Sequence, residues 1–175
     1  MQTLAQIFNN SFFRVPDYQR GYAWEESQLE DFWKDLNWLC PGQQHYTGML
    51  TLYPVERPYP TEFPTNSPHT LYHVVDGQQR LTTSYLLLNK LVRRTRDQMI
   101  GGQPAGIVSH NYIAASINGI SYPIFGYDSQ EKMQFLKGLF EYENTKAAKK
   151  AGNPAPRNIY ERNLIYASRY FDAKL

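Results

Sequence analysis

The sequence predicts an α+β domain, and three observations carry that prediction. Two β-rich runs, Tyr46 to Tyr53 and Leu71 to Val75, are separated only by a proline-rich excursion, so they should share one sheet. Two long patterns, Glu25 to Leu39 and Gln79 to Thr95, carry apolar residues at helical spacing. Aromatic residues make up 15% of the 175-residue chain, enough large apolar surface for a core. No apolar run is long enough to span a bilayer, and the N-terminus lacks a basic stretch followed by an apolar one, so the protein is expected in the cytoplasm. Cys40 is the single cysteine, which excludes an internal disulfide or a thiolate metal cluster. A formal charge of +2 does not by itself mark a nucleic-acid binder.

Taken in order, Thr3 caps a short helix through Phe8, and Asn9-Asn10 ends it. Phe12 to Val15 is a short strand closed by Pro16. The segment Asp17 to Trp24 fits neither period; rich in arginine and aromatics, it is expected to line a site or to anchor on the core through Tyr22 and Trp24. In the helix Glu25 to Leu39, the acids Glu25, Glu26, Glu30 and Asp31 crowd the first half and suit the helix dipole. Cys40, at its end, is expected to be buried. Gly48 marks a bulge or a close backbone approach in the Tyr46 to Tyr53 strand. Pro54 to Thr70 holds five prolines and little apolar periodicity, so it reads as an extended insertion.

Leu71 to Val75 is the second core strand. The helix after it places Leu81, Tyr85, Leu88 and Val92 on one face, widened by Leu86, Leu87 and Leu91. From Ile107 to Phe125 the pattern is ambiguous and is read as a short helix near Asn111 to Ile117, then a strand at Tyr122 to Phe125. Asp128 or Ser129 caps a helix carrying Met133, Leu136 and Phe140 inward. Residues 1–143 are read as one domain, 144–157 as a basic linker, and 158–175 as the start of a further helical region. The chain stops inside that helical pattern without a capping glycine, so a longer protein is expected.

Between the second strand and its helix stands Asp76-Gly77-Gln78-Gln79-Arg80. Asp76 and Gln79 have the spacing of a capping box, and Gly77 allows a tight turn. That leaves Gln78 and Arg80 unexplained. Arg80 sits at the positive end of a helix, where a cation is unfavourable unless an anion or a carboxylate accompanies it. On a phosphate reading, the amides of Gly77, Gln78 and Gln79 point at the anion, and Arg80 and Arg20 neutralise it. Asp76 then holds a divalent metal such as Mg2+ or orients a water, and Gln78 or Gln79 positions that water. The capping and catalytic accounts of Asp76 compete. His69 and His73 do not read as a metal pair, because the segment is not helical.

Three stretches together resemble a known family: Val15-Pro16-Asp17-Tyr18-Gln19-Arg20-Gly21-Tyr22-Ala23-Trp24, then Tyr46-Thr47-Gly48-Met49-Leu50, then Val75-Asp76-Gly77-Gln78-Gln79-Arg80-Leu81-Thr82-Thr83. They are similar to the N-terminal domain of GmrSD-type modification-dependent restriction proteins. Phe125-Gly126-Tyr127-Asp128 and Asn163-Leu164 match more loosely. The resemblance implies a ParB/sulfiredoxin-like fold, a small mixed sheet flanked by helices with a helical C-terminal portion. It implies a nucleotide site at Asp76, Gly77, Gln78, Gln79 and Arg80, with Gln19 and Arg20 beside it. Hydrolysis of a nucleoside triphosphate, with GTP favoured and Mg2+ as companion ion, would regulate restriction of modified phage DNA. A separate C-terminal nuclease domain would do the cutting. A DNA-binding or sensing module without turnover is the alternative.

Overall fold

The computed structural model describes residues 2–40, 42–57, 59–60, 63–64, 67–95, 98–142 and 155–175. Residues 144–154 of the expected basic linker lie outside the described residues. The main sheet has four strands in the order β2-β3-β1-β8. These are β1 (Ser11–Val15), β2 (Thr51–Pro54), β3 (Thr70–Asp76) and β8 (Phe125–Tyr127). The central strand β1 runs parallel to both β3 and β8, and β2 is antiparallel to β3. The class is therefore α+β with a small mixed sheet, as the motifs imply. Every residue of β1 is buried, including Ser11 and Arg14, so the strand shows no alternation of apolar and polar positions.

Register sorts the side chains of the sheet. Phe13 lies beside Tyr72 and Phe125, and Val15 beside Tyr127, on the face toward α3 (Gln78–Arg94). There Tyr85 meets Phe125 at a ring distance of 5.2 Å, and Phe8 from α1 (Leu4–Phe8) meets Phe13 at 5.1 Å. The opposite face carries Phe12, Leu71, Arg14 and His73. It is covered by the excursion between β2 and β3. Phe63 packs on Phe12 at 5.7 Å, His69 stacks on Phe12 at 4.8 Å, and the Tyr59 hydroxyl accepts from Leu71 N at 3.2 Å. The proline-rich segment is thus a packed cover that contributes Tyr59, Phe63 and Ser67 to the interior, not a tolerated insertion. Its apolar residues meet the sheet singly, without a period, so no periodic signal announces them.

Helix α2 (Glu26–Asn37) buries Leu29 and Phe32, and Glu25 and Gln28 close a capping box at its start. Beyond α3, a short hairpin joins β4 (Met99–Ile100) and β5 (Gln103–Pro104). Helix α4 (Ala105–Tyr112) is followed by a second hairpin, β6 (Ala114–Ile117) and β7 (Ile120–Pro123). Its turn, Asn118-Gly119, has both residues at positive φ, the requirement of a type I′ turn. Of the helix expected at 111–117, only Asn111 and Tyr112 are helical, as the end of α4, and Ala114–Ile117 is strand. Ser129 caps α5 (Gln130–Tyr142), accepting from Lys132 N at 3.3 Å. Asn158 caps α6 (Ile159–Lys174). Helix α6 returns onto α2 and α3: Leu164, Ala167 and Phe171 are fully buried in the same core, and Phe171 meets Phe32 and Trp33. Buried Lys90 of α3 pairs with Asp172 at 2.7 Å. Among the described residues, no helix is long and apolar enough to cross a membrane. Cys40 is exposed rather than buried, because α2 ends before it.

Candidate functional site at the strand ends

The parallel strands β1, β3 and β8 end on one edge of the sheet. Open sheets of this kind take ligands outside the carboxyl ends of parallel strands. All three motif stretches converge there. Loop 16–24 leaves β1, the Asp76 turn leaves β3, and segment 46–50 runs into β2. Since β3 lies between β1 and β2, the first turn of α3 emerges flanked by loop 16–24 on one side and by segment 46–50 on the other.

The turn does not form the capping box its spacing predicts. Strand β3 continues through Asp76, which pairs with Thr51, so Asp76 ends the strand instead of opening the helix. Gly77 is the N-cap, at φ 85°, and no side chain caps the helix. Two physical reasons require glycine at this position. The left-handed backbone disfavours a side chain. A Cβ would also stand 2.9 Å from Leu50 Cδ1 and 3.0 Å from the Met49 carbonyl. Asp76 therefore does not cap the helix: its carboxylate is exposed, with no hydrogen bond or ion pair among the described residues.

Gln78 and Gln79, expected to position water, both reach toward loop 16–24. Gln79 Oε1 accepts from Ala23 N at 2.8 Å, and its Nε2 donates to Gly21 O at 3.1 Å. Gln78 Nε2 donates to Gln19 Oε1 at 3.3 Å, and Gln19 Nε2 donates to Val75 O at 2.9 Å. Both glutamines are buried. Together they clamp loop 16–24 to the β3–α3 junction on either side of Arg20. The loop backbone occupies both ends of the Gln79 amide, and Gln78 gives its Nε2 to Gln19, so both side chains hold the loop.

Two threonines complete the clamp. Thr83 Oγ1 bonds Gln79 O at 2.8 Å and meets the Tyr22 hydroxyl at 2.8 Å. Thr82 Oγ1 bonds Gln78 O at 2.7 Å. Burial holds the Tyr22 phenol well above its ordinary pKa, and it pushes the neighbouring Tyr127 phenol up to about 12, so both hydroxyls stay protonated. From α6, Tyr160 packs over Gly21, where a Cβ would lie 2.7 Å from its ring. Lys132 Nζ donates to Gln19 O at 3.3 Å. Thr82 and Thr83 receive no site role from the sequence, although two β-branched hydroxyls in a leucine-rich helix are a signal, and Tyr160 carries no such signal.

What remains outward is charged. Arg80 gives one donor, Nη2, to the Met49 carbonyl at 3.0 Å. Its guanidinium crosses Gly48 so closely that a Cβ there would sit 1.7 Å from Nη1. Gly48 therefore marks a close approach, one of the two expectations for it. No carboxylate pairs with Arg80 or with exposed Arg20 among the described residues. The edge thus presents Asp76, Arg20 and Arg80 around a helix start without a side-chain cap. The described residues contain no group of three His, Cys, Asp or Glu side chains that could hold a metal. His69 and His73 go separate ways: His69 Nδ1 meets Ser67 Oγ at 2.7 Å, and His73 Nε2 meets Asp128 Oδ2 at 3.2 Å.

Fold and site define a class: a mixed-sheet domain that presents arginines and acids at the ends of its parallel strands. The chain belongs to the family described as the GmrSD restriction endonuclease N-terminal domain, whose family model matches residues 4–174. That match runs through α6, beyond the stretch read from sequence as a linker. No curated protein matches the chain.

Proposed function

We propose that this domain binds a nucleoside triphosphate, GTP in the first place, at the first turn of α3 and hydrolyses it to regulate restriction of modified phage DNA. One observation carries the reading. The motif polar groups split into a set consumed by the clamp and a set left outward, and Arg20, Arg80 and Asp76 belong to the outward set, beside a helix start without a side-chain cap. Arginines and helix amides are the groups that hold phosphate. Arg80 and Arg20 hold phosphate oxygens, and Asp76 orients the water that attacks the terminal phosphorus. The P–O bond to the nucleoside diphosphate breaks, and inorganic phosphate leaves. Mg2+ fits the residues present, since this ion is usually held by one or two carboxylates together with the substrate's phosphates. Asp76 would hold it, and it would neutralise phosphate charge. Cutting of DNA belongs to a separate nuclease domain in this proposal.

The test is calorimetric titration with GTP, ATP and CTP, with and without Mg2+, followed by a phosphate-release assay. Arg80→Ala should lose binding, and Asp76→Ala should lose hydrolysis while the thermal melt persists. Equal turnover by wild type and both variants would end the proposal. DNA affinity that falls steeply with salt, without nucleotide binding, would favour the sensing module instead.

A further inference from the structure

Arg80 does more than face the turn. Together with Gly77 it lines a cleft of about 530 Å3 that runs along α3. Ser84, four residues on and so on the same helix face, also lines it, about 6 Å further along the axis. The remaining walls are largely apolar, among them Ile7 of α1, Leu36 of α2, and Leu39 and Tyr46 after it. Ser84 is 8% exposed, and its hydroxyl has no hydrogen-bond partner among the described residues. It is not one of the fully enclosed, unpartnered polar atoms, so it opens on the cleft and is free to bond a ligand there.

We propose that this cleft is a nucleoside subsite: the heterocycle and sugar lie between the apolar walls with a polar atom on the Ser84 hydroxyl, and the phosphate end meets Arg80. The inference rests on the phosphate reading of the α3 turn and extends it to the rest of the ligand. Three features favour this occupant over an apolar peptide. The charge is confined to one end and is positive. The single buried polar group stands about one helical turn away from it. The volume lies within the roughly 300–1,000 Å3 of small-molecule sites.

The experiment compares GTP, ATP, guanosine, adenosine and inorganic tripolyphosphate by calorimetry on wild type, Ser84→Ala and Ser84→Leu. A purine triphosphate should bind wild type at least tenfold tighter than tripolyphosphate. Ser84→Ala should reduce that advantage several-fold, and Ser84→Leu should abolish it. Tripolyphosphate affinity should stay the same in all three proteins, which also certifies that the variants fold. Triphosphates binding no tighter than tripolyphosphate, or nucleoside binding that survives Ser84→Leu, would overturn the subsite. If tripolyphosphate does not bind at all, the phosphate reading falls. The nucleosides alone then decide the cleft: binding that Ser84→Leu removes sustains it, and no binding overturns it.

Discussion

Removing the Gln79 side chain should unfasten loop 16–24 without disturbing the core. Gln79→Ala deletes both hydrogen bonds to the loop, from Ala23 N at 2.8 Å and to Gly21 O at 3.1 Å. A buried donor or acceptor left unpaired costs about 1–3 kcal/mol. Gly21 and Ala23 are only half-buried, so water recovers part of the loss and the lower end applies. Two such groups give about 2 kcal/mol. For a domain of this size that lowers Tm by about 4–8 °C. The local effect should be larger than the global one, because Arg20 stands between the two clamped residues. Limited trypsin digestion reads this directly: cleavage after Arg20 should accelerate in Gln79→Ala well beyond any change at other basic residues. Gln79→Glu keeps the acceptor for Ala23 but sets a carboxylate against the Gly21 carbonyl. Its stability should therefore partly recover in acid, where the protonated carboxyl can donate. A Gln79→Ala protein within about 0.5 kcal/mol of wild type, with unchanged cleavage at Arg20, would refute the clamp.

Three further outcomes are expected. Gly48→Ala should weaken GTP binding as much as Arg80→Ala does, since its Cβ would displace the guanidinium and its φ of 95° adds about 1–2 kcal/mol of backbone strain; calorimetry with retained affinity would contradict this. Phe63→Ala should destabilise by about 3–5 kcal/mol in urea unfolding, because Phe63 of the excursion is 4% exposed and touches Phe12 and Arg14; a loss below about 1 kcal/mol would restore the insertion reading. At Glu161, burial alone would raise the carboxyl pKa, but the side-chain and backbone hydrogen bonds and the charge of Arg157 outweigh it and hold the group below the ordinary 4.5. A lowered carboxyl pKa contributes stability that is present above the unfolded value and lost as pH falls through the folded one. Glu161→Gln should therefore be less stable at neutral pH and lose less than wild type below pH 4.5, as measured by thermal melts across pH.

The sequence by itself determined the elements whose signal is local. Thr3 and Gln6 form a capping box at the first helix, and the apolar stripe after Gln79 buries the first turns of α3 as its period requires. The Asn118-Gly119 turn carries an equally local signal, since few other dipeptides reach positive φ at both positions, yet the residues just before it, 111–117, read as helix. Tertiary structure alone decided where the polar groups of the motifs point. Asp76 and Gln79 have capping-box spacing, but pairing with Thr51 keeps Asp76 in the strand, and the loop carbonyl and amide capture Gln79. Tyr59 and Phe63 are core residues only because the sheet face over Phe12 needs covering, and α6 joins that core through contacts distant in sequence. Local spacing fixes backbone conformation because its energies act within a turn or two. Which of several possible partners a side chain takes depends on what the fold brings beside it.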